Sequence, residues 1–493
     1  MTIVVISALL VSFIAYLFIG FYLSRSTKDV GDMLPLITGK LAQVKNKNEF
    51  SISTVAATIS LATVILTFYE LAPYYGYWLY WCVLTTAVGI YVVRIFAKHI
   101  WKKINEYDHR PSLHEFIATE FTSPRLEMVA AACTSLGFLG AFAVELTVGT
   151  RFLSSLIPQI SPVITISALS LVAFIYTSQG GYRAVIVSDI WQMFSIWGLL
   201  LVLAAFYIYY ALHHGGFAAS YSRIPTQVTH LSMRDGLIPF LIGICIINVP
   251  TYLSDMGIWQ RIGAAQKQET VFKGLRLSVL NSIFTWGLIV TLSCFVFIII
   301  KPKGDENALF TLMNALGTQG TIGKIVIFVS VLGLFGAMLS TSSTQLIATS
   351  HAIYEDILAG IRGKSLTIRL AQKSELGLSR LILIISALVA TVFVGFLNYM
   401  GFSIADLIFS IYGSQLGLVT PVIFALLFSK EKLLQLNTWA GVAIVVGFVS
   451  GWFSAIYGKA IGSDNLIFLA PCISLVLSFS ILMTGYLTTK KDA

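Results

Sequence analysis

Charge is what this sequence has least of. Asp, Glu, Lys and Arg make up 11% of its 493 residues, where a water-soluble chain carries about a quarter. Cysteine is sparse as well. The five (Cys82, Cys133, Cys245, Cys294 and Cys472) all lie in apolar stretches and none forms a C-x-x-C pair, which excludes a disulfide framework and a cysteine-held metal site. The seven histidines (His99, His109, His114, His213, His214, His230 and His351) show no H-E-x-x-H or comparable ligand spacing, so a metalloenzyme has no support and the chain does not read as an enzyme. No N-x-Ser/Thr sequon occurs, which favours a bacterial chain. The net charge of +9 is spread over short loops and forms no aromatic-interleaved patch, so nucleic acid is not the expected partner.

What the sequence does have is apolar residues, 57% of the total, gathered in blocks of about 20, the length that spans a hydrocarbon core of roughly 30 Å. Backbone in lipid must satisfy its own hydrogen bonds, so the blocks read as helices. Thirteen spans are predicted, at about 3–24, 50–73, 76–100, 126–152, 158–177, 184–210, 237–262, 274–300, 323–354, 378–399, 403–428, 436–456 and 465–488. The first lacks a basic leader and a cleavage site and reads as a retained helix. No soluble domain is expected at either end.

Basic residues alternate between loops. Arg25, Lys28, Lys40, Lys45 and Lys47 share one side with Lys102, Lys103, Arg110, Arg125, Lys267, Lys273, Arg362, Lys364, Arg369 and Lys373. The other side holds only Arg151, Arg223, Arg234, Lys301, Lys303, Lys324 and Lys459. The positive-inside rule then puts the N-terminus outside and the C-terminus, with Lys490 and Lys491, inside. Spans 2–6 (50–210) and 7–11 (237–428) are two groups of five. Since five crossings reverse direction, the second group starts from the opposite face: an inverted repeat in topology. Span 1 (1–24) and the last two spans (436–493) fall outside it.

Polar groups within spans mark pathways or helix contacts. The densest cluster is Ser340-Thr341-Ser342-Ser343-Thr344-Gln345 in span 9. Its hydroxyls, with the carbonyl of Ala337, could cage a hard monovalent cation in neutral oxygens, or bond back to their own helix. Asp189 stands about one and a half turns into span 6, where it is either functional or paired with Arg183 one turn away. In span 7, Pro250 removes a backbone donor and is expected to break the helix beside Asn248, Thr251, Tyr252 and Asp255. Span 2 has no Gly or Pro between Val55 and Leu71. Glu145 in span 4 either faces a cavity or pairs with Arg151. Glu70 and Asp406 lie near span ends and read as interfacial.

The string Gly180-Gly181-Tyr182-Arg183-Ala184-Val185-Ile186-Val187-Ser188-Asp189-Ile190-Trp191-Gln192 resembles the span-6 signature of the solute:sodium symporter family. The hydroxyl run of span 9 with Tyr354-Glu355-Asp356-Ile357, Val55 to Ser60 in span 2, and Asn248 with Gln260-Arg261 in span 7 are similar too. The resemblance covers nearly the whole chain in span order. It implies a leucine-transporter-type core of five plus five inverted helices, with span 2 broken. It also implies a main sodium site from carbonyls of Ala56, Ile59 and Ala337 and hydroxyls of Ser340 and Thr341. A second sodium site would use Asp189 with Ser340, Ser343 and Thr344. Substrate would lie at the midplane, near Ser60 and Thr63, Phe142 and Glu145, Asn248, Thr251, Tyr252 and Asp255, and Gln415. Sialate carriers of the family place an arginine in span 4 where ungapped counting puts Phe142, so a sialate-like acid does not fit; an amine would suit Glu145 and Asp255.

The expected function is sodium-driven symport of a small polar solute by alternating access, by a monomer in the lipid of a bacterial cell (inner) membrane. Proton coupling through Asp189 is the first alternative. The second is a transporter-like sensor, which would need a separate signalling partner, because the chain ends at Lys490-Lys491-Asp492-Ala493.

Overall fold

A computed structural model describes residues 1–25, 27–28, 30–34, 44–107, 109–301, 306–358 and 373–489. Of the basic residues that set the orientation, Lys40, Lys303, Arg362, Lys364, Arg369, Lys490 and Lys491 lie outside them. The described chain is helical throughout, with one isolated β-bridge, Val44 to Ala265, and no sheet.

Eleven helical stretches among the described residues are long and apolar enough to cross a bilayer. Two are too long for one crossing. Pro162–His213 has 52 residues, about 78 Å at 1.5 Å per residue, more than twice a hydrocarbon core. It turns at Gly181, whose φ of 59° is open to glycine at little cost and whose missing side chain leaves room for Met33. Thr63–Ile104 turns likewise at Gly76, with φ 51°. The sequence reading divides the chain at these two places.

The helices that build the site are α1 (Thr2–Ser24), α2 (Lys47–Thr58), α3 (Thr67–Tyr75), α4 (Tyr80–Ile104), α5 (Pro124–Leu156), α6 (Pro162–His213), α7 (Leu237–Asn248), α8 (Met256–Ala264), α9 (Gln268–Phe295), α10 (Gly320–His351), α11 (Lys373–Tyr399), α12 (Ile404–Ser414), α13 (Val419–Leu427), α14 (Asn437–Ala460) and α15 (Asp464–Thr489). The second half of α6 lies along α10, where Gly333 and Gly336 let Leu199 and Ser195 approach closely. α1 packs beside both, and α14 and α15 pair with each other against α12. Helix α10 is buried without interruption from Ser330 to His351 apart from Leu332, so its hydroxyls contact protein rather than lipid.

Loop contacts sort onto two faces. One face carries Lys103 with Glu120 (2.9 Å), Arg183 with Glu49 (2.6 Å) and the buried His114 with Asp356 (2.6 Å). The other carries Lys459 with Asp406 (3.0 Å), where Asp406 also completes a capping box with Ser403.

Candidate functional site

Two helices break in the middle of the protein, and each break is capped by a side-chain oxygen. α2 ends at Thr58; Ile59 (φ −100°, ψ 88°) and Ser60 (φ −88°, ψ 156°) leave helical geometry, and a π-helical turn, Leu61–Leu66, leads into α3. Ser60 Oγ accepts the amide of Thr63 at 2.7 Å, so the Ile59 carbonyl loses its usual helical donor. The Ser60 hydroxyl in turn donates to the carboxylate of Glu145, which is fully buried on α5. The second break runs from Val249 to Asp255 between α7 and α8. Asp255 (φ −75°, ψ 113°) caps α8, its Oδ1 accepting from Ile258 N at 2.8 Å. Pro250 thus marks the start of that break and Asp255 its end.

Beside the first break lies the hydroxyl run of α10. Thr341 Oγ1 is buried and has no hydrogen-bond partner among the described residues. Ser340 Oγ donates to Asp189 Oδ1 at 2.6 Å. Ser343 bonds back to the Ser340 carbonyl at 3.0 Å, the self-satisfying alternative for that residue. Both α2 and the π-helical turn pack against α10, and Thr58, Thr63 and Thr341 line one cavity.

Asp189 has a partner that the sequence did not suggest. Arg183 pairs with Glu49 instead. The guanidinium at Asp189 belongs to Arg261 of α8, with Nη2 3.0 Å from Oδ2. Ser53 Oγ of α2 donates to the same Oδ2 at 2.5 Å and accepts from Arg261 Nε at 2.9 Å. Arg261 also donates to Thr344 Oγ1 (3.2 Å) and to the Gly257 carbonyl (3.0 Å). Asp189 and Arg261 are 0% and 1% exposed, and this network ties α2, α6, α8 and α10 together. A charge so deeply buried persists only when paired and hydrogen-bonded.

Above this network is a central cavity of about 130 Å³. Its wall includes five of the expected substrate residues: Thr63, Asn248, Thr251, Tyr252 and Asp255. Ser60, Phe142, Glu145 and Gln415 are not on it. Phe142 is packed in the core, Glu145 holds Ser60, and Gln415 lies against Gly137. Arg151, the other expected partner of Glu145, donates to the Phe402 carbonyl at 3.0 Å and Asn398 Oδ1 at 3.3 Å. The sequence reading missed Thr67, Phe68 and Trp286 on the wall, and gave Gln345, which is also there, no substrate role. Thr67 is one helical turn from Thr63, so helical spacing could have found it. Gln345 donates to Tyr412 Oη at 3.0 Å, and Thr251 Oγ1 and Gln345 Oε1 are buried without hydrogen-bond partners among the described residues.

An aromatic layer closes the cavity on one side. Tyr75 stacks on Phe240 (centroids 4.3 Å apart), and Phe409 lies 4.8 Å from Phe468. Phe240 and Phe409 face the central cavity, whereas Tyr75 and Phe468 face a vestibule of about 630 Å³. Residues of that vestibule include Glu70, Arg234, Asp235, Glu306, Asp406, Lys459 and Asp464, all from the basic-poor loops and span ends. Glu70 and Asp406 therefore share one vestibule.

Broken helices meeting at mid-depth around a cavity, with unpartnered oxygen atoms at the breaks, define a membrane-embedded secondary transporter and not an enzyme. The chain belongs to the sodium:solute symporter family, whose description matches residues 49–432. No curated protein sequence matches it. Among solved structures, it is similar to a Na+-coupled sialic acid symporter in a substrate-bound outward-open state, with 18% identity, TM-score 0.73 and coverage of 98% of this chain and 97% of that one. It is also similar to MhsT in complex with L-phenylalanine (15% identity, TM-score 0.53, 92% and 99% covered). A third likeness is to a mutant of the Eremococcus coleocola manganese transporter (14% identity, TM-score 0.51, 94% and 99% covered). At these identities the likeness establishes the fold, the leucine-transporter type, as the sequence led us to expect.

Proposed function

We propose that this protein is a sodium-coupled symporter that imports a small amine-bearing solute by alternating access. The observation that supports the reading is that Thr341, whose hydroxyl is buried without a hydrogen-bond partner among the described residues, lines the same cavity as Thr58 at the end of α2, next to the Ile59–Ser60 break. Carbonyls of Ala56, Ile59 and Ala337 and hydroxyls of Ser340 and Thr341 would hold one sodium ion there. Sodium is a hard cation that takes oxygen ligands, and neutral oxygens bind it weakly enough to release it.

The solute would occupy the central cavity. Asp255 stands on the wall with its carboxylate, and the Thr251 and Gln345 oxygens add acceptors. Phe68, Trp286, Phe409 and Tyr412 provide apolar and π surface, which suits a cationic group on an apolar body. The aromatic layer would be the outer barrier and the Asp189–Arg261 network the inner one. Basic-loop placement puts the vestibule outside the cell.

One ion suffices energetically. A charge moving through 100 mV releases about 2.3 kcal/mol, and a tenfold sodium gradient adds about 1.4 kcal/mol. Together they support accumulation on the order of several hundredfold. Proteoliposomes loaded without sodium and diluted into sodium should accumulate amines and amino acids in preference to simple acids. Uptake that ignores the imposed sodium gradient for every solute class would rule the proposal out.

A further inference from the structure

Two carboxylates and one fixed cation lie close together beside the cavity, with Asp255 and Arg261 on its wall. The Asp189 carboxylate is bound by Arg261, and Asp255 is within reach of the same guanidinium: a side chain at Gly257 would lie 3.1 Å from Asp255 Oδ1 and 3.2 Å from Arg261 Nη1. Asp189 and Thr344, two residues that the family resemblance gives to a second sodium site, both bind Arg261 Nη2. Ser343, a third, is turned to its own helix. Four of the five N–H donors of the guanidinium point at a carboxylate, two hydroxyls and a carbonyl. Those are the oxygen types that an alkali-metal ion would take.

We infer that Arg261 is a resident cation holding the second ion position, so that the transporter binds and carries a single sodium ion. This rests on the sodium-coupled reading above. The argument is one of charge and space. Asp189 is buried and needs one positive charge beside it, and Arg261 supplies it permanently, since a guanidinium is not deprotonated in proteins. A sodium ion added at Asp189 would meet that fixed charge at contact distance and would have to displace it from the Asp189 and Thr344 oxygens.

The test counts ions. Equilibrium binding of radioactive sodium to the purified protein should saturate at one ion per chain in the wild type. Arg261→Ala removes the tethered cation and leaves Asp189 with its serine partners. That variant should bind two ions, and its melting temperature should rise with sodium more steeply than that of the wild type. Adding Asp189→Asn to Arg261→Ala should return the count to one. Arg261→Lys, which keeps the charge, should also bind one. Two ions in the wild type would overturn the inference and leave sodium coupling standing, and so would one ion in a folded Arg261→Ala. If Arg261→Ala does not fold, the wild-type count decides alone. No saturable sodium binding in the wild type would remove the sodium reading itself and the inference with it.

Discussion

Ser60 and Glu145 are joined by a hydrogen bond that crosses from the break between α2 and α3 to the middle of α5. The serine hydroxyl donates to the carboxylate while its oxygen caps the turn that follows, at Thr63 N. Glu145 therefore shapes the backbone at the proposed ion site and does not line the central cavity. Replacing it with Gln should preserve the apparent solute affinity and weaken sodium activation, because the cap is held less firmly. A rise in KM for solute alone, with the sodium dependence unchanged, would show Glu145 acting as a solute ligand. Uptake measured over a matrix of sodium and solute concentrations separates the two.

Thr341 offers the cleanest deletion at the ion site. Its hydroxyl has no protein partner to lose, so Thr341→Val removes one ligand oxygen at nearly constant volume. We expect half-maximal sodium activation to shift about tenfold or more, which corresponds to about 1.4 kcal/mol. The melting temperature in potassium should barely change. The measurement is initial uptake rate against sodium concentration.

The Asp189–Arg261 pair predicts a large stability effect with a clear signature. Breaking a buried pair by removing one partner costs about 3–5 kcal/mol, because the other charge is left without compensation. Asp189→Asn should lower the melting temperature in detergent markedly, and the Asp189→Asn, Arg261→Gln double variant should recover part of the loss. Additive losses across that double-mutant cycle would mean that the two side chains do not depend on each other.

Cys82 is a native reporter of the cavity. It is buried and lies on the cavity wall, beneath the aromatic layer. In a variant that keeps only this cysteine, a membrane-impermeant maleimide added outside should label it slowly. Phe468→Ala should speed the labelling, since it removes a ring in contact with Phe240 and Phe409. Bound solute should protect it. Equal rates with and without Phe468 would place the outer barrier elsewhere.

The parts of this account that were legible in the sequence are those written in local pattern. The spanning blocks, with the gap between spans 5 and 6 that holds Gly181, came from length and apolarity, and one helix break from Pro250. The break at Ser60 has no such mark. A serine within an apolar helix looks like any packing residue, and only the non-helical Ile59 and the Thr63 bond reveal it as a cap. Glu145 read as a cavity residue because its partner lies 85 positions away. Asp189 was set beside Arg183, one turn off, whereas its partner is 72 positions away on a helix that only the fold brings near. Long-range pairing of charges is the information that a single sequence withholds.

The central claim is that oxygens from the broken α2 and from α10 hold one sodium ion between them. A high-resolution experimental structure in sodium tests it most directly. Cation density should lie among the carbonyls of Ala56, Ile59 and Ala337 and the hydroxyls of Ser340 and Thr341, and it should vanish in Thr341→Val. Density located only elsewhere, or a break at Ile59–Ser60 drawn away from Thr341, would contradict the account.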